Sequence, residues 1–270
     1  MQDAPTGSSP RGLAEAIEAN GLAFWELFCS RPGMEFHREP GLVWFASGYA
    51  APTLNGVLWA DLPGDELEAA IDEATARFRR RQLPMEWRVG PTTRPPNLGQ
   101  HLARRGFALA EDIPALFLDL DIAPAEAPAP PGFRVEPVEN NLRLEEWFRA
   151  WARGFDVPPF FTAAFRDAYT HVGFGDDRPL RNLVGFLDGV PVATATVFLA
   201  AGLASLHSIT TVPEARRRGL GAAITQAALH VARSRGVRTA VLHSTPMGLD
   251  LYRRLGFQTC GRQAIFLAPS

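Results

Sequence analysis

Hydrophobic positions fall into two alternating registers along the second half of the chain. Spacing near 3.6 residues predicts helices over Leu142–Arg153, Phe160–Thr170 and Gly219–Ser234, with a shorter one at Leu249–Leu255. Between them, runs of β-branched and apolar residues predict strands at Phe133–Glu136, Asn182–Leu187, Pro191–Leu199, Ala204–Thr211, Thr239–His243 and Gln263–Leu267. Asp188-Gly189 joins the second and third strands as a hairpin, since both residue types tolerate positive φ. The longest apolar stretch, Val190–Leu206, is broken by Pro191, Thr194, Thr196, Gly202 and Ser205. It reads as two buried strands turning at Gly202, and no membrane span is expected. Strands mixed with helices behind a front hairpin predict an α/β (α+β) architecture, a sheet flanked by helices.

The segment from Ile122 to Gly132 carries four prolines among small residues and cannot supply ladder donors or continue a helix. It divides the chain into residues 1–122, a linker at 123–131, and residues 132–270. The first part carries 11 Arg against 17 acids, or −6; from residue 123 on there are 16 Arg against 12 acids, or +4. A positive half suits an anionic ligand. The two parts also repeat. Glu66-Leu-Glu-Ala-Ala-Ile71 lies over Gly219-Leu-Gly-Ala-Ala-Ile224, and Trp87–Val89 then falls on Ala240–Leu242. After a three-residue shift, Leu102-Ala-Arg-Arg-Gly-Phe107 lies over Tyr252-Arg-Arg-Leu-Gly-Phe257. Several such coincidences in order predict a duplicated domain.

Composition removes several chemistries. All 27 basic residues are arginine, which excludes a Schiff-base lysine, a pyridoxal anchor and a P-loop lysine. Arginine without lysine also fits coding in a high-GC bacterium. Cys29 and Cys260 make neither a disulfide framework nor a zinc site, and the six histidines lack ligand spacing, so no metal is expected. Nor is a nucleic-acid partner expected of a chain with net charge −2. Residues Met1–Gly12 have no charged region followed by an apolar core, so a cytoplasmic location is expected.

The sharpest motif runs from Ile209 to Ala223: a β-branched strand ending at Pro213, a loop with Arg216, Arg217 and Arg218, then Gly219-Leu220-Gly221-Ala222 opening a helix. Backbone N–H groups at a helix start lack intrahelical partners, and the macrodipole adds positive potential there. Glycines at 219 and 221 let an anion approach those donors, and arginines pair with phosphate oxygens. This pattern predicts a pyrophosphate site. A dinucleotide-binding turn would need a third glycine where Ile224 stands, and no acidic ribose ligand follows.

Arg216-x-x-Gly219-x-Gly221 after a strand resembles the acyl-CoA signature of GCN5-related N-acetyltransferases (GNAT). Leu251-Tyr252-Arg253-Arg254-Leu255-Gly256-Phe257 resembles that family's second motif. The resemblance covers most of residues 132–270. It implies two GNAT-like domains, each a mixed, mostly antiparallel sheet flanked by helices, with residues 1–122 a degenerate copy and residues 132–270 the catalytic one. It further implies a sheet splayed between the strands ending at Thr211 and His243. Pantetheine would bond the backbone around Ile209, Thr210 and Thr211, and Arg216 through Ala222 would receive the pyrophosphate of acetyl-CoA, the co-substrate. The first copy presents Asp65, Glu66 and Glu68 where phosphates would sit. Like-charge repulsion of about 1 kcal/mol per pair predicts no CoA there.

By the same resemblance Tyr252 is the general acid, since a phenol near pKa 10 holds its proton for a leaving thiolate. Many relatives place a Glu where Ser205 stands, and the base falls to His207. Strict alternation would put Ser205, His207, Ile209 and Thr211 on one strand face, with His243 and Ser244 across the gap. The acceptor, a small-molecule primary amine, is expected at Phe155, Asp156, Phe160 and Ser244, with Glu146 a further carboxylate able to draw a cation. The activity implied is direct transfer of an acetyl group within a ternary complex. The alternatives are a non-catalytic regulatory module binding CoA or another ligand, and acylation of an oxygen or thiol acceptor.

Overall fold

A computed structural model describes residues 9–64, 66–124 and 128–269. Expectations resting on the first eight residues, on Asp65 and on residues 125–127 of the linker lie outside them. Among the described residues no helix is long and apolar enough to cross a membrane.

The chain opens with a helix that the spacing analysis did not identify, α1 (Pro10–Phe28). Its start is built locally: the Ser9 hydroxyl accepts the Gly12 N–H at 3.2 Å, and Pro10 sits in the first turn, where a missing N–H costs nothing. There follow β1 (Glu35–Glu39), β2 (Leu42–Ala46), β3 (Asn55–Ala60), α2 (Leu67–Arg80), β4 (Glu86–Val89), α3 (Leu98–Arg104) and β5 (Ala108–Asp119). The second half contributes β6 (Phe133–Pro137), α4 (Asn141–Phe155), α5 (Pro159–Val172), β7 (Leu180–Leu187), β8 (Val190–Ala200) and β9 (Leu203–Thr211). It ends with α6 (Leu220–Ser234), β10 (Thr239–His243), α7 (Leu249–Arg254) and β11 (Gln258–Leu267). Asp188 and Gly189 turn the β7–β8 hairpin at φ of 50° and 85°, and Ala201 and Gly202 turn β8 into β9 at 51° and 73°.

Among the described residues, eleven strands form one sheet in the order β1-β2-β3-β4-β11-β5-β10-β9-β8-β7-β6. Among the strands described, β3–β4 and β9–β10 are the parallel pairs, and α2 and α6 provide the crossovers that parallel pairing requires. The order β3-α2-β4-α3-β5 therefore recurs as β9-α6-β10-α7-β11. Each half gives its last strand to the other: β5 pairs with β10, and β11 pairs with β4. β5 and β11 pair with each other over most of their length at the centre. The expected final strand at Gln263 in fact starts at Gln258 and passes an irregularity at Cys260.

Both faces of the sheet are covered. On one, α6 buries Leu220, Ile224 and Ala228, spaced four apart, with Leu229 and Ala232, against Ala204, Leu206, Ala240 and Leu242. On the other, Phe24 and Phe28 of α1 join Trp147, Trp151 and Tyr169 of α4 and α5 over Phe186 and Phe198. Each of the leucine, isoleucine and phenylalanine side chains among them contributes roughly 1.5–3 kcal/mol on burial. Asn20, fully buried in α1, donates from Nδ2 to the Ala200 carbonyl at 2.9 Å and the Leu203 carbonyl at 3.3 Å. The first helix of one half thus satisfies the β8–β9 turn of the other.

Candidate functional site

The loop after β9 and the start of α6 have the geometry an anion needs. Gly219 is the N-cap at φ 80°, a left-handed conformation open to glycine, and no side chain caps the helix. Ala223 is the first residue whose N–H closes a helical bond, to the Gly219 carbonyl at 3.1 Å, which leaves the preceding donors at the turn unsatisfied within the helix. Arg217 and Arg218 are exposed beside them. Arg216 is otherwise engaged. Its Nε donates to the Thr211 carbonyl at 3.0 Å and its Nη2 to the Gly154 carbonyl at 2.9 Å. It braces the loop between β9 and α4, so of the three predicted arginines two are disposed toward an anion and one toward the protein.

β9 and β10 pair only at Ala204–Ala240 and Ser205–Val241; beyond these positions the strands part. Strict alternation along β9 fails at this point. Ser208 has φ 53°, and the register with β8 slips so that Thr194 faces Thr210 while Thr196 faces His207. The bulge adds one residue, so His207 and Thr210 share the α4 side, whereas Ile209 and Thr211 join Leu206 on the α6 side. The expectation that Ser205, His207, Ile209 and Thr211 share one face is corrected accordingly. Thr210 approaches α4 so closely that a Cβ on Gly154 would lie 2.4 Å from its side chain.

Tyr252, on α7 in the core cluster that α6 covers, is 7% exposed, and burial pushes its phenol up to about 12. It packs edge-on against Phe257 with centroids 5.8 Å apart. Ser244 is 1% exposed; its hydroxyl donates to the Thr245 carbonyl at 2.8 Å and its N–H to the Pro114 carbonyl at 3.0 Å. Phe155 and Phe160 are exposed on the surface at the α4–α5 junction, where Asp156 ends α4 at φ 53°. Glu146 is held by Arg143 at 2.6 Å.

Beneath the parting strands, on the face opposite α6, lies a cavity of about 260 Å³. Its floor is Ser205 and His207 of β9, Val241 and His243 of β10 and residues of β5, β11 and β4; α1 roofs it. None of Phe155, Asp156, Phe160 and Ser244 lines it. His207 stacks on Phe24 with centroids 4.4 Å apart and shares a 2.8 Å hydrogen bond with the Ser205 hydroxyl. Burial, then the neighbouring His243 and Arg88, drive its pKa down to about 3. His243 is exposed where it lines the cavity; crowding by the surrounding protein, then Arg88, lowers its pKa to about 4. Both imidazoles are neutral at pH 7, and a group this weakly basic is poorly matched to proton abstraction there.

Two charged groups on the cavity wall come from the first half. Glu18 of α1 accepts a hydrogen bond from Thr92 through Oε2, while its buried Oε1 has no partner among the described residues. Burial, partly offset by Thr92 and Arg94, raises its pKa to about 7. Arg88 of β4 lies 4.7 Å over the Trp25 ring and donates through Nε to the fully buried Glu86 at 2.6 Å. Sequence reasoning missed both residues because it treated the first half as a decayed copy. A signal was available: Ala14, Glu18, Gly21 and Trp25 recur at helical spacing, so Glu18 stands on the stripe that faces the cavity. Among the described residues no group of side chains could hold a metal ion.

The start of α2 contrasts with that of α6. Glu68 in its first turn is held by Arg105 and by His101. Beyond β3, the Arg94 carbonyl accepts from the Leu62 N–H at 3.2 Å and the Arg94 N–H donates to the Ala60 carbonyl at 2.9 Å, so backbone pairing fills the space here whose counterpart between β9 and β10 is open.

Comparison with known proteins places this geometry. The model of the acetyltransferase (GNAT) family matches residues 141–257. A GCN5-related N-acetyltransferase from Kribbella flavida superposes with a TM-score of 0.74 at 21% identity, over 94% of this chain and 96% of that one. One from Sphaerobacter thermophilus gives 0.64 at 17% identity, over 96% and 93%. A tandem GNAT protein from the clavulanic acid biosynthesis pathway gives 0.60 at 16% identity, over 95% and 97%. No curated protein matches the chain. The likeness establishes a GNAT-type mixed α/β fold across nearly the whole chain, and the family pattern lies in its second half.

Proposed function

We propose that this chain is an acyl-CoA-dependent N-acetyltransferase, moving an acetyl group from acetyl-CoA to a primary amine within one ternary complex. The observation that carries this reading is the uncapped, glycine-bared start of α6 set beside the parting of β9 and β10. The residues fit the carrier. Free N–H groups from Gly219 to Ala222, with Arg217 and Arg218, bind a pyrophosphate, and Arg216 holds the loop in place from behind. The edge of β9 beyond Ser205, left without a strand partner on its β10 side, is available to pantetheine amides at Ile209 and Thr211. When bound, the thioester supplies the acyl group.

Tyr252 keeps its proton at every physiological pH and donates it to the departing sulfur. Residues 1–122 form a degenerate copy that does not bind CoA: the Glu68 carboxylate stands in the first turn of α2, and the Arg94 backbone bridges the matching gap. The likeness to a tandem GNAT protein over nearly the whole chain supports this assignment. Release of free thiol from acetyl-CoA, followed across a panel of primary amines, tests the activity. Amine-dependent release supports it; tight CoA binding with no release across the panel would make the chain a ligand-binding module instead.

A further inference from the structure

The central cavity has a composition that selects its ligand, and it lies on the side of the sheet opposite the α6 cradle, under the parting strands. Most of its wall is apolar, from Ile17, Phe24, Trp25, Leu58, Ile113 and Ile265. At about 260 Å³ it is at the small end of the roughly 300–1,000 Å³ of ligand pockets and matches a molecule of amino-acid size. A buried carboxylate oxygen without a partner is costly unless a ligand completes it. Glu18 Oε1 is such an atom, and an ammonium group is the complement it lacks. Arg88 shows the opposite need. Glu86 engages its Nε, and its two Nη atoms donate to no protein oxygen among the described residues. A guanidinium fork of this kind is suited to a carboxylate.

We propose that this cavity is the acceptor site and takes a small amino acid with an apolar side chain, its amine received by Glu18 and its carboxylate by Arg88. The inference rests on the acyl-transfer reading and names its substrate class. Glu18 takes one proton from the substrate ammonium and passes it to solvent. The nitrogen then bonds to the acyl carbon as the carbon–sulfur bond breaks; the nitrogen's second proton leaves through Glu18 to solvent, Tyr252 gives its proton to the thiolate, and solvent returns one proton to Tyr252. Arg94, in the loop after β4, acts on Glu18 electrostatically; the other charged and titratable groups on the same cavity wall are Arg88 on β4, His207 on β9, His243 on β10 and Cys260 on β11, and Glu86 pairs with Arg88. Both histidines stay neutral above about pH 4 and Glu18 titrates near 7, so turnover rises with pH through about 7.

The test compares phenylalanine with phenethylamine, and leucine with isopentylamine, as acceptors for the full-length protein. Removing Arg88 would strand the buried Glu86, so the carboxylate is removed from the substrate instead. The amino acids are expected to exceed their amines in kcat/KM by on the order of tenfold to a hundredfold. Glu18→Gln is expected to lower kcat by about a hundredfold or more and to abolish the rise near pH 7, with CoA affinity unchanged by calorimetry. Equal use of amines and amino acids, or an E18Q protein with full turnover and the same pH profile, overturns this proposal and leaves acyl transfer standing. Absence of CoA binding to the unaltered protein overturns both.

Discussion

Gly219→Ala isolates the backbone strain at the cradle. At φ 80° an L-residue costs about 1–2 kcal/mol relative to glycine. Steric crowding adds little, because the new Cβ would lie 3.4 Å from Pro130 Cγ, an ordinary contact. The strain has two outlets. If the variant keeps the native turn, folding stability falls by the whole amount, a drop in Tm of roughly 2–8 °C for a chain of this size. If the turn instead relaxes in the free protein, stability is spared and CoA must restore the conformation on binding. Kd then rises by about 5- to 30-fold, the same 1–2 kcal/mol expressed as affinity. Calorimetric unfolding and CoA titration on the same preparation measure both, and their sum is expected near 1–2 kcal/mol. Gly221→Ala is the control for folding stability alone: this residue is the second of α6 and has no positive φ, so alanine carries no left-handed strain there, and its Cβ would meet Leu251 Cδ2 at 3.3 Å and Thr211 Oγ1 at 3.7 Å. A Gly219→Ala protein unchanged in both Tm and Kd would refute the reasoning.

Three further outcomes follow from the packing. Tyr252→Phe is expected to lower kcat for acetyl transfer by on the order of a hundredfold at unchanged CoA affinity; full turnover across the pH range would remove the tyrosine from the chemistry. His207 titrates near 3 in the folded chain and near 6.5 when unfolded, so between those values the unfolded state binds the extra proton. Its contribution to stability is complete above about pH 6.5 and is lost as pH falls toward 3. Glu18 acts in the opposite sense between about 4.5 and 7, so His207→Leu is the variant whose Tm should fall less steeply with acid than the parent's. Asn20→Ala leaves the Ala200 and Leu203 carbonyls without their buried donor, and urea unfolding is expected to register a loss of about 1–3 kcal/mol.

The second half was legible because its signals are local. Period-3.6 spacing located α4, α5 and α6, Asp188-Gly189 marked a hairpin, and Gly219 stands where a left-handed N-cap is needed. What the sequence concealed is long-range. No pattern within Ala108–Asp119 says that β5 will pair with β10 in the other half, since register depends on which edge is free after each half has given up its last strand. The bulge at Ser208 carries no glycine, and alternation therefore put Ile209 and Thr211 on the wrong face. Arg216 looked like its two neighbours, but only the fold brings the Gly154 carbonyl within its reach. Glu18 was overlooked for the same reason: its isolation becomes visible once α1 is laid over strands from both halves.

Calorimetric titration of the full-length protein with CoA bears most directly on the central claim, because it reports both whether the α6 cradle binds the carrier and whether the start of α2 does. Heat saturating at one CoA per chain is the predicted result. No heat would contradict the cradle, and saturation at two would contradict the assignment of the first half as a copy that cannot bind.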